Sequence, residues 1–179
     1  VSHLCEQYPD FSFINADITE TEIEGIAGQE PFDLVTIFDV FYHIVDDARF
    51  SNAVRHIGTL TANAGVVLVM DQLHPVRYQL SKHVVYRDRD EYVALFDRSG
   101  LALLESELLF HYLVPPMSGS RLVDLAAAGI FKLAGFVVRV SDRLASSVAV
   151  RLRRFDNRLR SSGRRVSNSE MLVFGKGEG

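Results

Sequence analysis

Asp33-Leu34-Val35-Thr36-Ile37-Phe38-Asp39-Val40 is nearly continuous in aliphatic and β-branched residues, the pattern of a parallel strand covered on both faces. Downstream, Asp46-Asp47 supplies a cap and an acidic first turn for a helix. In it Phe50, Val54, Ile57 and Leu60 or Thr61 recur at helical spacing until Asn63-Ala64-Gly65 stops it. Val66-Val67-Leu68-Val69-Met70-Asp71 then repeats the buried-strand pattern. Strand, helix and strand within this length form a right-handed crossover, so 33–40 and 66–71 are expected as adjacent parallel strands.

Working outward, Phe11-Ser12-Phe13-Ile14-Asn15 reads as a short strand on the other side of 33–40. Tyr92, Leu95 and Phe96 suit one face of a helix within Arg87–Arg98, and Ser99-Gly100 supplies a left-handed stop. Leu101 to Phe110 and Met171-Leu172-Val173-Phe174-Gly175 read as two strands that pair antiparallel at one edge. The expected fold class is α/β, a mostly parallel sheet with an antiparallel edge strand.

The gap of roughly sixty residues between those last two strands must contain structure of its own. Pro115-Pro116 turns the chain out of the sheet. Residues 118–165 then carry 11 Lys and Arg against 3 Asp and Glu, a net +8 that leaves −12 for the rest of a chain whose total is −4. Lys132 and Arg139 interrupt the longest apolar stretch of this block, short of the ~20 residues that would span a bilayer. Leu144, Val148, Leu152, Phe155 and Leu159 form a helical stripe with Arg151, Arg154 and Arg158 beside it. The expected organisation is an α/β domain of residues 1–117 and 170–179, and a basic helical insertion of 118–169.

With 179 residues, 47% apolar and 23% charged, the chain can bury one globular core. Collagen-like, disulfide-framework and wholly disordered classes are excluded. Its one cysteine, Cys5, is expected as a small core thiol in a reducing, cytoplasmic setting, and nothing at its start reads as a signal peptide. The six histidines show no i, i+4 pair among themselves and no zinc-type spacing; Asp71-x-x-His74 is the close acid–histidine pair considered, and no metal is expected. No nucleophile elbow or Walker loop is present. In an open parallel sheet the crevice lies beyond the carboxyl ends of the strands, where Asp17, Asp39 to His43, and Asp71-Gln72 stand.

Asn15-Ala16-Asp17-Ile18, then Phe32 through Asp47, then Ala64-Gly65-Val66-Val67-Leu68-Val69 resemble class I S-adenosylmethionine-dependent methyltransferases in spacing and order. The resemblance covers roughly residues 11–110 and 170–176 and implies a Rossmann-like fold with S-adenosylmethionine as cofactor. It implies that Asp17 accepts from the adenine amino group and Ile18 lies against the ring. Asp39, Val40, Phe41, Tyr42 and His43 would line the methyl-transfer face. In the family a first strand with its glycine-rich loop, and an acid ending the second strand, would precede Phe11; neither is in this sequence. The chain is therefore expected to be the carboxyl-terminal part of such an enzyme, binding cofactor weakly or not at all by itself.

Methyl transfer from a sulfonium rests mainly on positioning and exclusion of water. For a hydroxyl acceptor His43 is the candidate base, since an imidazole titrates near neutral pH, and Tyr42 the candidate wall of the acceptor pocket. The expected function is methyl transfer to a small-molecule or lipid-like acceptor. The alternative is a non-catalytic α/β scaffold whose basic amphipathic helix binds an acidic partner or an anionic membrane surface through 118–165. Nucleic acid ranks lower, because the basic block has no aromatic interleaving or recognition motif.

Overall fold

In the computed structural model, which describes residues 1–20, 30–74, 76–109, 121–140, 142–160 and 169–177, a short α1 (Ser2–Gln7) is followed by the expected crossover. β1 (Phe32–Phe38) pairs in parallel with β2 (Thr61–Gln72), with Leu34 opposite Val66 and Phe38 opposite Met70. α2 (Asp47–Leu60) connects them; the Asp46 carboxylate caps it by accepting from the Arg49 N–H at 2.9 Å. Phe50, Ala53, Val54 and Ile57 form its buried face.

α2 passes directly into β2 at Thr61, earlier than the Asn63-Ala64-Gly65 stop implied. The irregularity is absorbed inside the strand: Ala64 has φ 60° and the register with β1 shifts between Phe32 and Leu34. A Cβ on Gly65 would stand 2.8 Å from the Ala62 carbonyl oxygen, so this close approach demands glycine.

A hairpin of β3 (Tyr78–Ser81) and β4 (Val84–Tyr86) follows, then α3 (Arg89–Arg98), capped by Asp88 and ended by Gly100 at φ 78° as expected. β5 (Leu101–Leu108) and the final β6 (Ser169–Lys176) pair antiparallel. The sheet order is β1-β2-β6-β5. Because β6 is antiparallel to both neighbours, β1, β2 and β5 run one way and β6 alone runs the other. The reversed strand is thus second from the edge, and β5, expected as its partner, is the edge strand.

Between β5 and β6 the basic block forms α4 (Arg121–Val140) and α5 (Asp142–Arg160), packed against each other. Of the expected stripe, Val148 and Leu152 are half-buried but Leu144 is exposed, Ala145 taking the half-buried place beside it, while the side chains of Phe155 and Leu159, and the Pro115-Pro116 break, lie outside the described residues. Among the described residues no helix is long and apolar enough to cross a membrane.

Three expectations are corrected. Residues 11–15 form no strand: with no partner ladder, β propensity alone does not hold a strand, and Phe11 and Phe13 instead meet Tyr8 with ring centroids 6.4–6.5 Å apart. β1 is not covered on both faces; Val35 and Ile37 turn toward the core, whereas Phe32, Leu34 and Phe38 are exposed. Cys5 is exposed on α1, not in the core. β6 itself runs one residue past Gly175 to Lys176, whose ammonium donates to the carbonyls of Gly58 and Thr61 at the end of α2.

One core joins these elements. Phe41 is fully buried, its ring edge-on to Phe50, Tyr92 and Phe96 at 5.2, 6.1 and 6.0 Å, and Phe96 stacks on Phe174 at 4.1 Å. Beside it Arg87 is also fully buried, its guanidinium 4.1 Å over the Phe50 ring, donating to the Ile44 carbonyl and to Asp47. Arg77 donates to the same Asp47 carboxylate. Hydrogen bonds from Arg77 and Arg87 hold the Asp47 carboxyl down at about 2.

Phe41→Ala is expected to destabilise the chain by about 3–5 kcal/mol in chemical denaturation, because three rings close around this side chain. A carboxyl whose folded value is lowered contributes stability that is complete above its unfolded value, 3.8, and is lost as pH falls toward about 2. Wild type is therefore expected to lose more stability than Asp47→Asn across that acid window, as followed by circular dichroism.

Candidate functional site

The carboxyl end of β1 turns sharply. Asp39 takes the left-handed conformation at φ 56°, one that Asp tolerates better than most residues, while its N–H still donates to the Met70 carbonyl at 2.9 Å. A 3-10 turn over Phe41–His43 follows. It sends successive side chains in different directions: Phe41 into the core, Tyr42 half-buried against Tyr86, and His43 into the open.

This turn is tied to the end of β2 by Asp71. The Asp71 carboxylate accepts from the Tyr92 hydroxyl at 2.7 Å, the Gln72 N–H at 2.8 Å, and the Tyr42 N–H. The group is buried, and desolvation pushes its pKa up to about 6, with the Asp39 charge acting in the same direction. Burial raises the Tyr92 hydroxyl well above its usual range, and it also raises those of Tyr42 and Tyr86. His74 Nδ1 meets the Val76 carbonyl.

The Asp17 turn approaches from the other side. Asp17 Oδ1 accepts from the Thr19 N–H at 2.9 Å and the Thr19 hydroxyl at 2.7 Å, the local geometry that favours Asp in turns. Those bonds, led by the backbone one, lower the Asp17 carboxyl from its ordinary value. α2 fixes the turn from beneath with two residues seven apart on one helical face. Arg49 donates to Asp17 Oδ2 and to Thr19, and the buried His56 holds the Ile18 carbonyl at 2.8 Å. Since a carbonyl only accepts, His56 Nδ1 carries the proton, and Nε2 accepts from Arg55 at 2.7 Å.

Between the Asp17 turn, the Phe41–His43 turn, the start of α2 and the tip of the β3–β4 hairpin lies an open cleft of about 640 Å³. Asp17, Ile18, Val40 and His43 all line it, and so do Arg49, Lys82 and His83. Asp39, Phe41 and Tyr42 are not among the lining residues. Asp39 is exposed beside Val40, the Phe41 side chain belongs to the core, and Tyr42 meets His43 with rings tilted by 47° and centroids 4.2 Å apart. His43 Nδ1 lies 3.4 Å from the His83 carbonyl, which can only accept; the proton on Nδ1 leaves Nε2 as the basic nitrogen.

Thr19, Arg49, His56 and the hairpin tip Lys82-His83 were missed in the sequence. For the hairpin a signal existed: apolar residues on either side of a polar tip, Tyr78-Gln79-Leu80-Ser81 and Val84-Val85-Tyr86. For Arg49 and His56 the only signal was their shared face on a helix already assigned.

No family model matches the sequence, and no curated protein does. Solved structures do. An O-methyltransferase from the trans-AT PKS multienzyme of Brevibacillus brevis, in complex with S-adenosyl-L-homocysteine, aligns at a TM-score of 0.55 over 98% of this chain and 53% of its own, with 12% identity. An O-methyltransferase family protein from Burkholderia thailandensis aligns at 0.54 over 99% and 39%, with 10% identity. The fold is that of the class I methyltransferases. The cyclase SpnF has it too, at 0.51 over 99% and 62% with 13% identity, so the fold does not by itself fix the reaction. The chain spans between 39% and 62% of the length of these three structures.

Asp71 gives the site a measurable pH dependence. Its folded value, about 6, lies above the ordinary carboxyl value of 3.8, so the stability it contributes is complete below about 4 and is lost as pH rises through about 6. Relative to Asp71→Asn, wild type is expected to lose up to about 3 kcal/mol of unfolding free energy from pH 4 to 7. A difference that stays constant with pH would show that Asp71 is not buried as described.

Proposed function

We propose that the cleft serves S-adenosylmethionine-dependent methyl transfer to a small-molecule or lipid-like acceptor. We further propose that this chain supplies the carboxyl-terminal half of the catalytic domain. One observation carries the reading: in a sheet of methyltransferase fold, Asp17, Ile18, Val40 and His43 converge on one cleft beyond the carboxyl end of β1. The half-domain reading draws support from coverage, since nearly all of this chain aligns with about half of the Brevibacillus enzyme. It draws support also from β1, whose outer face of Phe32, Leu34 and Phe38 stands exposed, as a sheet lacking the layer that covers this face would leave it.

The residues present fit the adenosyl side of such a cofactor. A carboxylate offers about four lone-pair sites, and Asp17 uses three, on Thr19 twice and Arg49 once. One remains for an exocyclic amine, on a side chain that is half-exposed. Ile18, held by its own carbonyl on His56, is placed to cover an aromatic face. Bound there, S-adenosylmethionine would supply an electrophilic methyl group.

The chain's own residues then orient and deprotonate. Val40 presents an apolar wall, and the Phe41–His43 turn is kept in place by Asp71 from within. For a hydroxyl acceptor, His43 Nε2 would take the proton that the acceptor oxygen releases as its bond to the methyl carbon forms and the carbon–sulfur bond breaks. The Lys82-His83 hairpin tip lies across the cleft from the Asp17 turn, where an acceptor would enter.

Calorimetric titration with S-adenosylhomocysteine tests this. The chain alone is expected to bind weakly, and a longer polypeptide that adds the amino-terminal part of the fold to bind tightly. In that polypeptide Asp17→Ala is expected to weaken binding by about 1–3 kcal/mol, the cost of losing one partner of a hydrogen bond. Unchanged affinity would remove Asp17 from the site, and no binding by either polypeptide would overturn the methyl-transfer reading.

A further inference from the structure

Leu122, Leu125, Leu133, Phe136 and Val140 of α4 fall at spacings that an α-helix gathers onto one face. All five are exposed, between 61% and 80%. The stripe they form runs about 27 Å along the helix at 1.5 Å per residue. α4 packs on α5, yet this face remains open to solvent, which is unusual for a contiguous apolar surface without a partner. Lys132 and Arg139, both exposed, stand along one border of the stripe, four residues before Phe136 and three after it. On α5, Arg151, Arg153 and Arg154 are exposed as well.

Charge decides which occupant fits. The block from 118 to 165 carries +8 and the rest of the chain −12. A second copy docking through the same stripe would bring two strongly positive blocks together, with Lys132 and Arg139 of each near those of the other. An anionic bilayer offers what the surface lacks on both counts, an apolar layer for the stripe and negative head groups for the cations. It would also repel the acidic remainder and so orient the molecule with the helical pair down. Neither helix is long and apolar enough to cross, so the pair would lie in the interfacial plane.

We propose that α4 seats its apolar stripe in the head-group boundary of an anionic membrane while Lys132, Arg139 and the arginines of α5 engage the lipid head groups. This docking is independent of the chemistry in the cleft.

The test is co-sedimentation of the full chain with phosphatidylcholine vesicles, with and without added phosphatidylserine, at low and high salt. Wild type is expected to bind only the vesicles containing phosphatidylserine, and less well as salt screens the attraction. Arg151→Gln/Arg153→Gln/Arg154→Gln is expected to lower that partition about a hundredfold at low salt. Leu125→Ser/Leu133→Ser/Phe136→Ser, whose side chains are exposed, is expected to keep the wild-type circular dichroism spectrum and lose vesicle binding. Equal partition onto both vesicle types, or wild-type binding by either triple variant, would overturn the proposal. Self-association that depends on the stripe, without vesicle binding, would overturn it too and assign the face to a second copy.

Discussion

Asp71 brings its carboxyl into the end of β2, where water is excluded and ionisation is costly. Three donors compensate, and each belongs to a different piece of the molecule: the Gln72 N–H to the strand's own end, the Tyr92 hydroxyl to α3, and the Tyr42 N–H to the turn after β1. Sheet, helix and turn are thus registered on a single buried group. Every feature of the cleft on the β1 side depends on that registration, because Tyr42 lies between Phe41, which enters the core, and His43, which faces the cleft.

The opposite side of the cleft is built by α2. Its first turn carries Asp46 as cap and Arg49 as the cation on Asp17, and two turns later His56 grips the Ile18 backbone. Buried Arg87 performs a similar task from below, binding the Ile44 carbonyl and Asp47 where the chain enters α2. A cation this deep is costly unless paired, and here the Asp47 and Glu91 carboxylates and the Phe50 ring share its charge. The site is therefore held by polar contacts within and around the core, while its lining stays accessible.

The elements legible in the sequence were those whose signals are local. The runs 33–40 and 66–71, the Asp46 cap and the Gly100 stop each announce themselves within a few residues, and the parallel pairing of β1 with β2 follows from the length of the connection. The Phe11–Asn15 run failed for the complementary reason. A strand exists only when another supplies its ladder, and no described strand lies beside it. The position of β6 inside the sheet, with β5 at the edge, is likewise a matter of which strands find each other over long separations.

At the site the division is similar. Residue types and strand-end positions alone singled out Asp17, Asp39 to His43 and Asp71, and the charge count alone separated the basic block from the acidic remainder. Only the tertiary structure decided that Phe41 turns inward while His43 lines the cleft, that Arg49 and Thr19 occupy most of the Asp17 carboxylate, and that the Lys82-His83 tip joins the lining. Periodicity and capping are properties of neighbours along the chain, so they can be read from it. Burial, the direction of a side chain and the partners of a charge are set by segments tens of residues apart, and they come into being only when those segments pack.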